Sequence, residues 1–317
     1  MSHPGSGLLI AVDVGGSSSR SVAVDAAGRP VASAVAPGAR KTDAGIAGAV
    51  VDAVRRLVPD GVAALGGPVV AVAVGATGLG SLSTDRPSLA ATLTTLTGCD
   101  RVALAADALT AHLGALDGEA GAVLAVGTGV VALGRGRAGR WRRADGWGHL
   151  LGDRGGAAWL GAEGLRRALE AFDGRSADGA ALLAEARALL GDPTGWPRLV
   201  HERDDPATLL ASVAGVVTGL ADGGDAAARG IVAEAGRSLA RAAGAVLTDD
   251  VPPVLACVGG VSRVAVVDAA LRHALARARP DVRVVAAAGD PLAGSVALAR
   301  SLTTADRPGP VEGLLWT

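Results

Sequence analysis

The chain has 317 residues, enough for one large or two medium domains, and half of them are hydrophobic, so a sizeable core can form. Its formal net charge is −1 with scattered basic residues, which speaks against nucleic acid or an acidic membrane surface as a partner. Its two cysteines, Cys99 and Cys257, lie far apart and exclude a disulfide framework as well as a zinc or iron–sulfur ligand set.

The apolar residues are mainly Ala, Val and Leu, and with abundant Gly, one Phe, one Met and no Tyr they imply close backbone packing. Lys41 is the only lysine, and Arg137, Arg140, Arg142 and Arg143 read as a solvated hairpin. Residues 1–7 carry no signal-peptide pattern and no apolar run reaches membrane-spanning length, so a soluble, cytoplasmic setting is expected.

In chain order, strands are expected over 8–14, 20–25 and 30–36, with Gly28 in the tight turn between the last two. A helix over 43–58 carries Ile46, Val50, Val54 and Leu57 at helical spacing. A buried strand over 69–74 ends in Gly75-Ala76-Thr77-Gly78-Leu79-Gly80. A helix over 89–97, a strand over 102–105 and a helix over 108–116 follow, the last opened by Asp107.

The pattern then restarts. Strands are expected over 121–126, 130–134 and 140–143, then helices over 157–172, 179–190, 206–220 and 226–247. A buried strand over 254–258, a helix over 264–278, a strand over 282–285 and a helix over 292–302 close the chain. The unit of strand, glycine turn, strand, turn, strand thus occurs twice, which implies an internal duplication. Two mixed α/β domains are expected, residues 1–117 with a closing helix in 292–317, and residues 118–291, each lending one glycine hairpin to a shared cleft.

The chemistry concentrates in the turns. Asp13-Val14-Gly15-Gly16-Ser17-Ser18-Ser19-Arg20 joins two strands. Glycines admit an anion close to backbone N–H groups, and hydroxyls donate to phosphate oxygens. A strand-end carboxylate beside phosphates can hold magnesium, which is the role expected for Asp13. An ordinary glycine turn is the alternative. Gly127-Thr128-Gly129 is the matching second phosphate loop or, again, a plain hairpin turn. Asp107 is either a helix N-cap or a general base for a hydroxyl that attacks a γ-phosphate. Gly259-Gly260-Val261-Ser262 is either a plain strand-to-helix turn or backbone against which a ribose or flat ring can lie.

The least ordinary stretch is Gly146-Trp147-Gly148-His149-Leu150-Leu151-Gly152-Asp153-Arg154-Gly155-Gly156. Its glycines, carboxylate and ring suit a polyhydroxylated ligand, a loop with structural tryptophan anchors being the alternative, while His149 lacks a second histidine at metal-ligand spacing. A Gly-x-Gly-x-x-Gly match at Gly134, Gly136 and Gly139 lies between two strands with no helix after it, so the dinucleotide reading fails. No Gly-x-x-x-x-Gly-Lys-Ser/Thr motif is present, which excludes a P-loop nucleotidase.

Taken in this order, the segments resemble the superfamily of sugar kinases, heat-shock chaperone ATPases and actin. More narrowly they resemble the BadF/BadG/BcrA/BcrD ATPase group that includes N-acetylglucosamine kinases, with a composition like its actinobacterial glucosamine kinase branch. The resemblance implies a two-domain, actin-like (duplicated ribonuclease H-like) α/β fold with an interdomain cleft. It implies an ATP- and Mg2+-dependent kinase acting on the 6-hydroxyl of glucosamine, with N-acetylglucosamine as the alternative. Asp107 would be the catalytic base. Gly15, Gly16, Ser17, Ser18, Gly127, Thr128 and Gly129 would hold phosphates, Gly259, Gly260 and Ser262 the adenosine, and Asp13 the magnesium. Thr77, Gly78, Gly148, His149 and Asp153 would join Asp107 around the sugar, and Asp145, Asp153 or Glu163 could meet a cationic amine. The expected partner is an amino sugar, with homodimerisation left open. Three rivals stand beside this reading: an iron–sulfur dehydratase activator, a non-enzymatic sugar- or nucleotide-binding regulator, and an actin-like assembly protein.

Overall fold

The computed structural model describes the chain except residues 1–6, 40–44, 81–84 and 306. The chain divides into two compact units, Met1–Glu119 with Ala287–Thr317, and Ala120–Ala286.

The first unit opens with β1 (Leu8–Val14), β2 (Ser18–Val24) and β3 (Pro30–Pro37), an antiparallel meander. Helix α1 (Gly45–Leu57) follows, and the expected start at Asp43 lies outside the described residues. Next come β4 (Val69–Ala76), α2 (Arg86–Thr97), β5 (Val102–Ala106) and α3 (Asp107–Ala115). β1 and β4 are almost wholly buried, as the continuous apolar runs of a central parallel strand require. α1 buries Ile46, Val50, Val54 and Leu57 against this sheet. α2 begins three residues before the expected position. Asp85 caps it by accepting from the Ser88 N–H at 3.1 Å, and a proline sits in the first turn, which together set its start.

The second unit repeats the meander with β6 (Gly121–Val126), β7 (Val130–Arg135) and β8 (Trp141–Asp145). Helices α4 (Ala157–Phe172), α5 (Ala180–Leu190), α6 (Trp196–His201), α7 (Pro206–Asp222) and α8 (Ala226–Val246) follow. They lead to β9 (Val254–Val258), α9 (Ala265–Ala278) and β10 (Arg283–Val285). The sheet order is β10-β9-β6-β7-β8. The short α6 was not expected, and it buries Trp196, whose indole N–H donates to the Gly191 carbonyl at 3.1 Å.

The chain then returns to the first unit with α10 (Pro291–Ser301) and β11 (Leu315–Trp316), completing a sheet of order β11-β5-β4-β1-β2-β3. α10 lies on α3 through glycines, with Gly294 against the Thr110 carbonyl and Gly114 against the Asp290 carbonyl. Ser295, fully buried, donates from Oγ to the Val12 carbonyl at 2.9 Å and ties α10 to β1.

Small residues set helix separations in the second unit too. Gly161 of α4 abuts the Leu210 carbonyl of α7, whereas Gly215 of α7 faces open space. Gly161→Ala is therefore expected to destabilise by about 1–3 kcal/mol through overpacking. Gly215→Ala should stabilise by up to about 1 kcal/mol through helix propensity. Urea unfolding midpoints of the two variants check both signs.

Candidate active site

Three parallel strands of the first unit stop together. Val14 of β1 is aligned with Ala76 of β4, and Ala76 with Ala106 of β5. The glycine hairpin, Thr77-Gly78 and Asp107 therefore leave adjacent strands at one edge of the sheet. Neighbouring strands are about 4.8 Å apart, so Asp107 follows a strand about 10 Å from the one that feeds the hairpin. The Thr77 N–H donates to the Val14 carbonyl at 2.9 Å and couples the two turns.

The hairpin around Gly15, Gly16, Ser17 and Ser18 is braced from behind. Gly15 donates to the Ser18 carbonyl at 3.0 Å, and its own carbonyl accepts from Ala39 at 3.0 Å. Gly38 is pressed so close to the backbone of Gly15, Gly16 and Ser18 that a Cβ would collide. Of the three hydroxyls, that of Ser19 does not reach a ligand: it is buried and donates to the Pro37 carbonyl at 2.9 Å. Ser17 and Ser18 are exposed.

Asp13 sits opposite Arg20 in the β1–β2 register. Arg20 Nη2 donates to Asp13 Oδ2 at 2.7 Å, and Nη1 to Asp290 Oδ2 at 2.5 Å. Burial pushes the Asp13 carboxyl above the usual range, with Arg20 opposing and Asp290 adding to the rise. Asp290 is itself partly desolvated, but the Ala293 N–H it caps and Arg20 bring its carboxyl below the usual range. No cluster of three metal-ligating side chains occurs among the described residues. With Oδ2 bonded to Arg20, the Asp13 carboxylate fits a magnesium ion that it would hold through the ion's own waters and that arrives with phosphates.

Asp107 is half-buried and is the first residue of α3, not its cap; Ala106 takes the capping position without a side-chain bond. The Ala108 N–H donates to Asp107 Oδ1 at 2.9 Å, and Thr110 Oγ1 to the Asp107 carbonyl at 3.1 Å.

In the second unit, turn 127–129 is held by the start of α4. Ala157 donates to the Gly127 carbonyl at 2.9 Å and Ala158 to the Thr128 carbonyl at 3.0 Å. These are helix-terminal amides that a capping side chain would otherwise satisfy, and Gly156 supplies none. The bonds also turn two carbonyl oxygens towards the protein, removing acceptors that would repel a phosphate. Gly259, at φ +97°, packs against the Val126 carbonyl, so both glycine turns of this unit lie side by side. Ser262 donates from Oγ to the Gly259 carbonyl at 2.9 Å, closing that turn; Gly260 stays exposed.

The 146–156 loop folds back onto turn 127–129. Asp145, just before it, and Asp153, within it, are both non-glycine residues with positive φ (62° and 59°). Such strain persists where surrounding contacts over-determine it. Here Asp145 Oδ1 accepts from Gly146 N at 2.8 Å and from Asp153 N at 2.7 Å. The Asp153 carboxylate stands directly against Gly129, where a Cβ would collide with it. Burial pushes the Asp153 carboxyl above its usual range, while the Val130 N–H lowers it and the nearby Asp145 raises it further. Gly148 (φ +84°) is exposed and His149 half-buried, while Trp147, Leu150 and Leu151 are exposed, with Trp147 at 68 % and beneath the Arg143 guanidinium.

Of the three carboxylates weighed for a cationic amine, Glu163 pairs with Arg166 at 2.6 Å on α4, and Asp145 holds the loop backbone. Arg20, Asp290 and the bracing role of Asp145 went unread in the sequence. Hairpin register alone would have set Arg20 opposite Asp13.

The BadF/BadG/BcrA/BcrD ATPase family model matches residues 10–298. An N-acetylmuramic acid/N-acetylglucosamine kinase of Clostridium acetobutylicum is 29% identical over 209 residues, which span 62% of this chain and 66% of that protein, slightly under two thirds of its length. A candidate N-acetylglucosamine kinase from Chromobacterium violaceum, solved as a crystal structure, is 26% identical with a TM-score of 0.70, covering 94% of this chain and 99% of that one. A ROK family glucokinase from Streptomyces griseus, crystallised with glucose and AMPPNP, shares the fold at 22% identity and a TM-score of 0.60, over 93% and 99% of the two chains. The fold is thus the two-domain α/β fold of the actin-like sugar kinases. With a family model matched along most of its length, the chain belongs to the BadF/BadG/BcrA/BcrD ATPase family.

Proposed function

We propose that this protein is an ATP-dependent sugar kinase that transfers the γ-phosphoryl group to the 6-hydroxyl of an amino sugar, glucosamine in the first instance. The observation that carries the reading is the alignment of strand ends in the first unit, which puts Asp107 in one row with Thr77-Gly78 and a braced glycine hairpin. The relatives support the coarser statement, a sugar kinase. Two of them are named for N-acetylglucosamine, which favours that sugar as the second reading.

In this mechanism Asp107 accepts the proton of the attacking hydroxyl, an O–P bond forms to the γ-phosphorus, and the bond to the β–γ bridging oxygen breaks to release ADP. Positioning and charge stabilisation supply most of the acceleration. Backbone N–H groups of the turns around Gly15-Gly16 and Gly127-Thr128-Gly129, with the Ser17, Ser18 and Thr128 hydroxyls, would hold the phosphates. Gly259, Gly260 and Ser262 would flank the nucleoside. Asp13 would hold magnesium, which when bound neutralises phosphate charge. Thr77, Gly78, Gly148, His149 and Asp153 would orient sugar hydroxyls. No single helix among the described residues is long and apolar enough to cross a membrane. A cytoplasmic site of action is part of the proposal.

Asp107→Asn should fold and lose about 10²–10⁴-fold in kcat, the range for removal of a placed general base. A coupled ADP-release assay with glucosamine and N-acetylglucosamine measures this, and near-normal turnover would remove Asp107 from the role. Gly127 has open space where a Cβ would stand. Gly127→Ala should therefore keep its thermal midpoint yet bind ADP at least about tenfold more weakly, because bulk at a phosphate turn keeps the backbone from the anion. Wild-type ADP affinity by calorimetry would take the phosphates away from this turn.

A further inference from the structure

We propose that segment 311–316 is a positioning strap for Asp107; its catalytic consequence rests on the kinase reading above. The segment makes a tight turn, with Leu314 donating to the Val311 carbonyl at 2.9 Å and Leu315 to the same carbonyl at 2.8 Å. It then lies antiparallel along β5, with Leu315 opposite Ala105 and Trp316 opposite Leu104. The Leu314 carbonyl reaches one residue further and accepts from the Ala106 N–H at 2.9 Å. That is the last backbone amide before Asp107.

The strap also grips the turn after β4. A Cβ on Gly80 would stand 2.7 Å from the Gly313 carbonyl and 3.8 Å from Ala106 Cβ. Arg86 joins the two sides: Nη1 donates to the Leu79 carbonyl at 2.8 Å, and the guanidinium carbon lies 4.3 Å from the centre of the Trp316 ring. Leu314 and Leu315 are buried at 5 % and 2 % exposure, so the strap is part of the packed unit.

Covering a sheet edge would explain a strand beside β5. It does not explain why so short a strand sits at the end of β5 that carries Asp107, or why its neighbours seize both that end and the Thr77–Gly80 turn. A carboxylate at the start of a helix inherits its position from the backbone before it, and misplacement of about 1 Å can cost 10²-fold in rate. The strap holds that backbone from the edge of the sheet, beside β5.

The test uses full-length Trp316→Ala, Trp316→Phe and Arg86→Ala beside wild type. Trp316→Ala should lower kcat about 10- to 100-fold with the KM for sugar and the ADP affinity within about twofold of wild type. Its Ala106 amide should exchange with solvent at least about tenfold faster. Arg86→Ala should reproduce both changes, and Trp316→Phe, which keeps a ring under Arg86, should restore both. Unchanged kcat and unchanged Ala106 exchange in Trp316→Ala would overturn the proposal. So would a fall in kcat accompanied by an equal loss of ADP binding, which marks general unfolding. Should wild type phosphorylate no hexosamine, the kinase reading falls, and exchange at Ala106 alone decides the strap: faster keeps it, unchanged removes it.

Discussion

The pairing of β1, β4 and β5 in parallel is the constraint from which the first unit's chemistry follows. Parallel strands run the same way, so their C-terminal ends share an edge, and a register aligning Val14, Ala76 and Ala106 makes three turns emerge side by side. A one-residue slip of β5 would reverse the faces of its side chains and move Asp107 along the strand axis. The arrangement therefore depends on what fixes the register: buried apolar runs on both faces, α10 behind and the strap beside β5.

Close packing of small residues makes that arrangement possible. Gly114, Gly294 and Gly75 each touch a neighbour where a Cβ would collide, the last against Thr110 of α3. Larger side chains at these contacts would push α3 away from β4 and α10 and carry Asp107 with it. The scarcity of aromatic residues is consistent with this design, because a core of Ala, Val and Leu fills the narrow space between closely approached backbones.

Much of this was legible in the sequence. β1, β6, α4 and β9 fall where runs and periodicity put them, since long buried segments carry the strongest local signal. The duplicated meander was visible because glycine turns recur at matching points. What was not legible depends on distant partners. β11 is two residues long and has no period to read; it exists because β5 offers it an edge. The Ser19 hydroxyl reads as a phosphate donor until Pro37 is seen to accept from it. Asp153 reads as a sugar-side residue, and its proximity to Gly129 follows from two left-handed aspartates folding the loop back, a conformation more usual for glycine.

The central claim is that Asp107 meets the acceptor alcohol. A crystal structure of the protein with its hexosamine measures this most directly. The sugar's 6-hydroxyl oxygen is expected within about 2.6–3.2 Å of an Asp107 carboxylate oxygen. A bound hexosamine whose 6-hydroxyl points away from Asp107, with another carboxylate in its place, would contradict it.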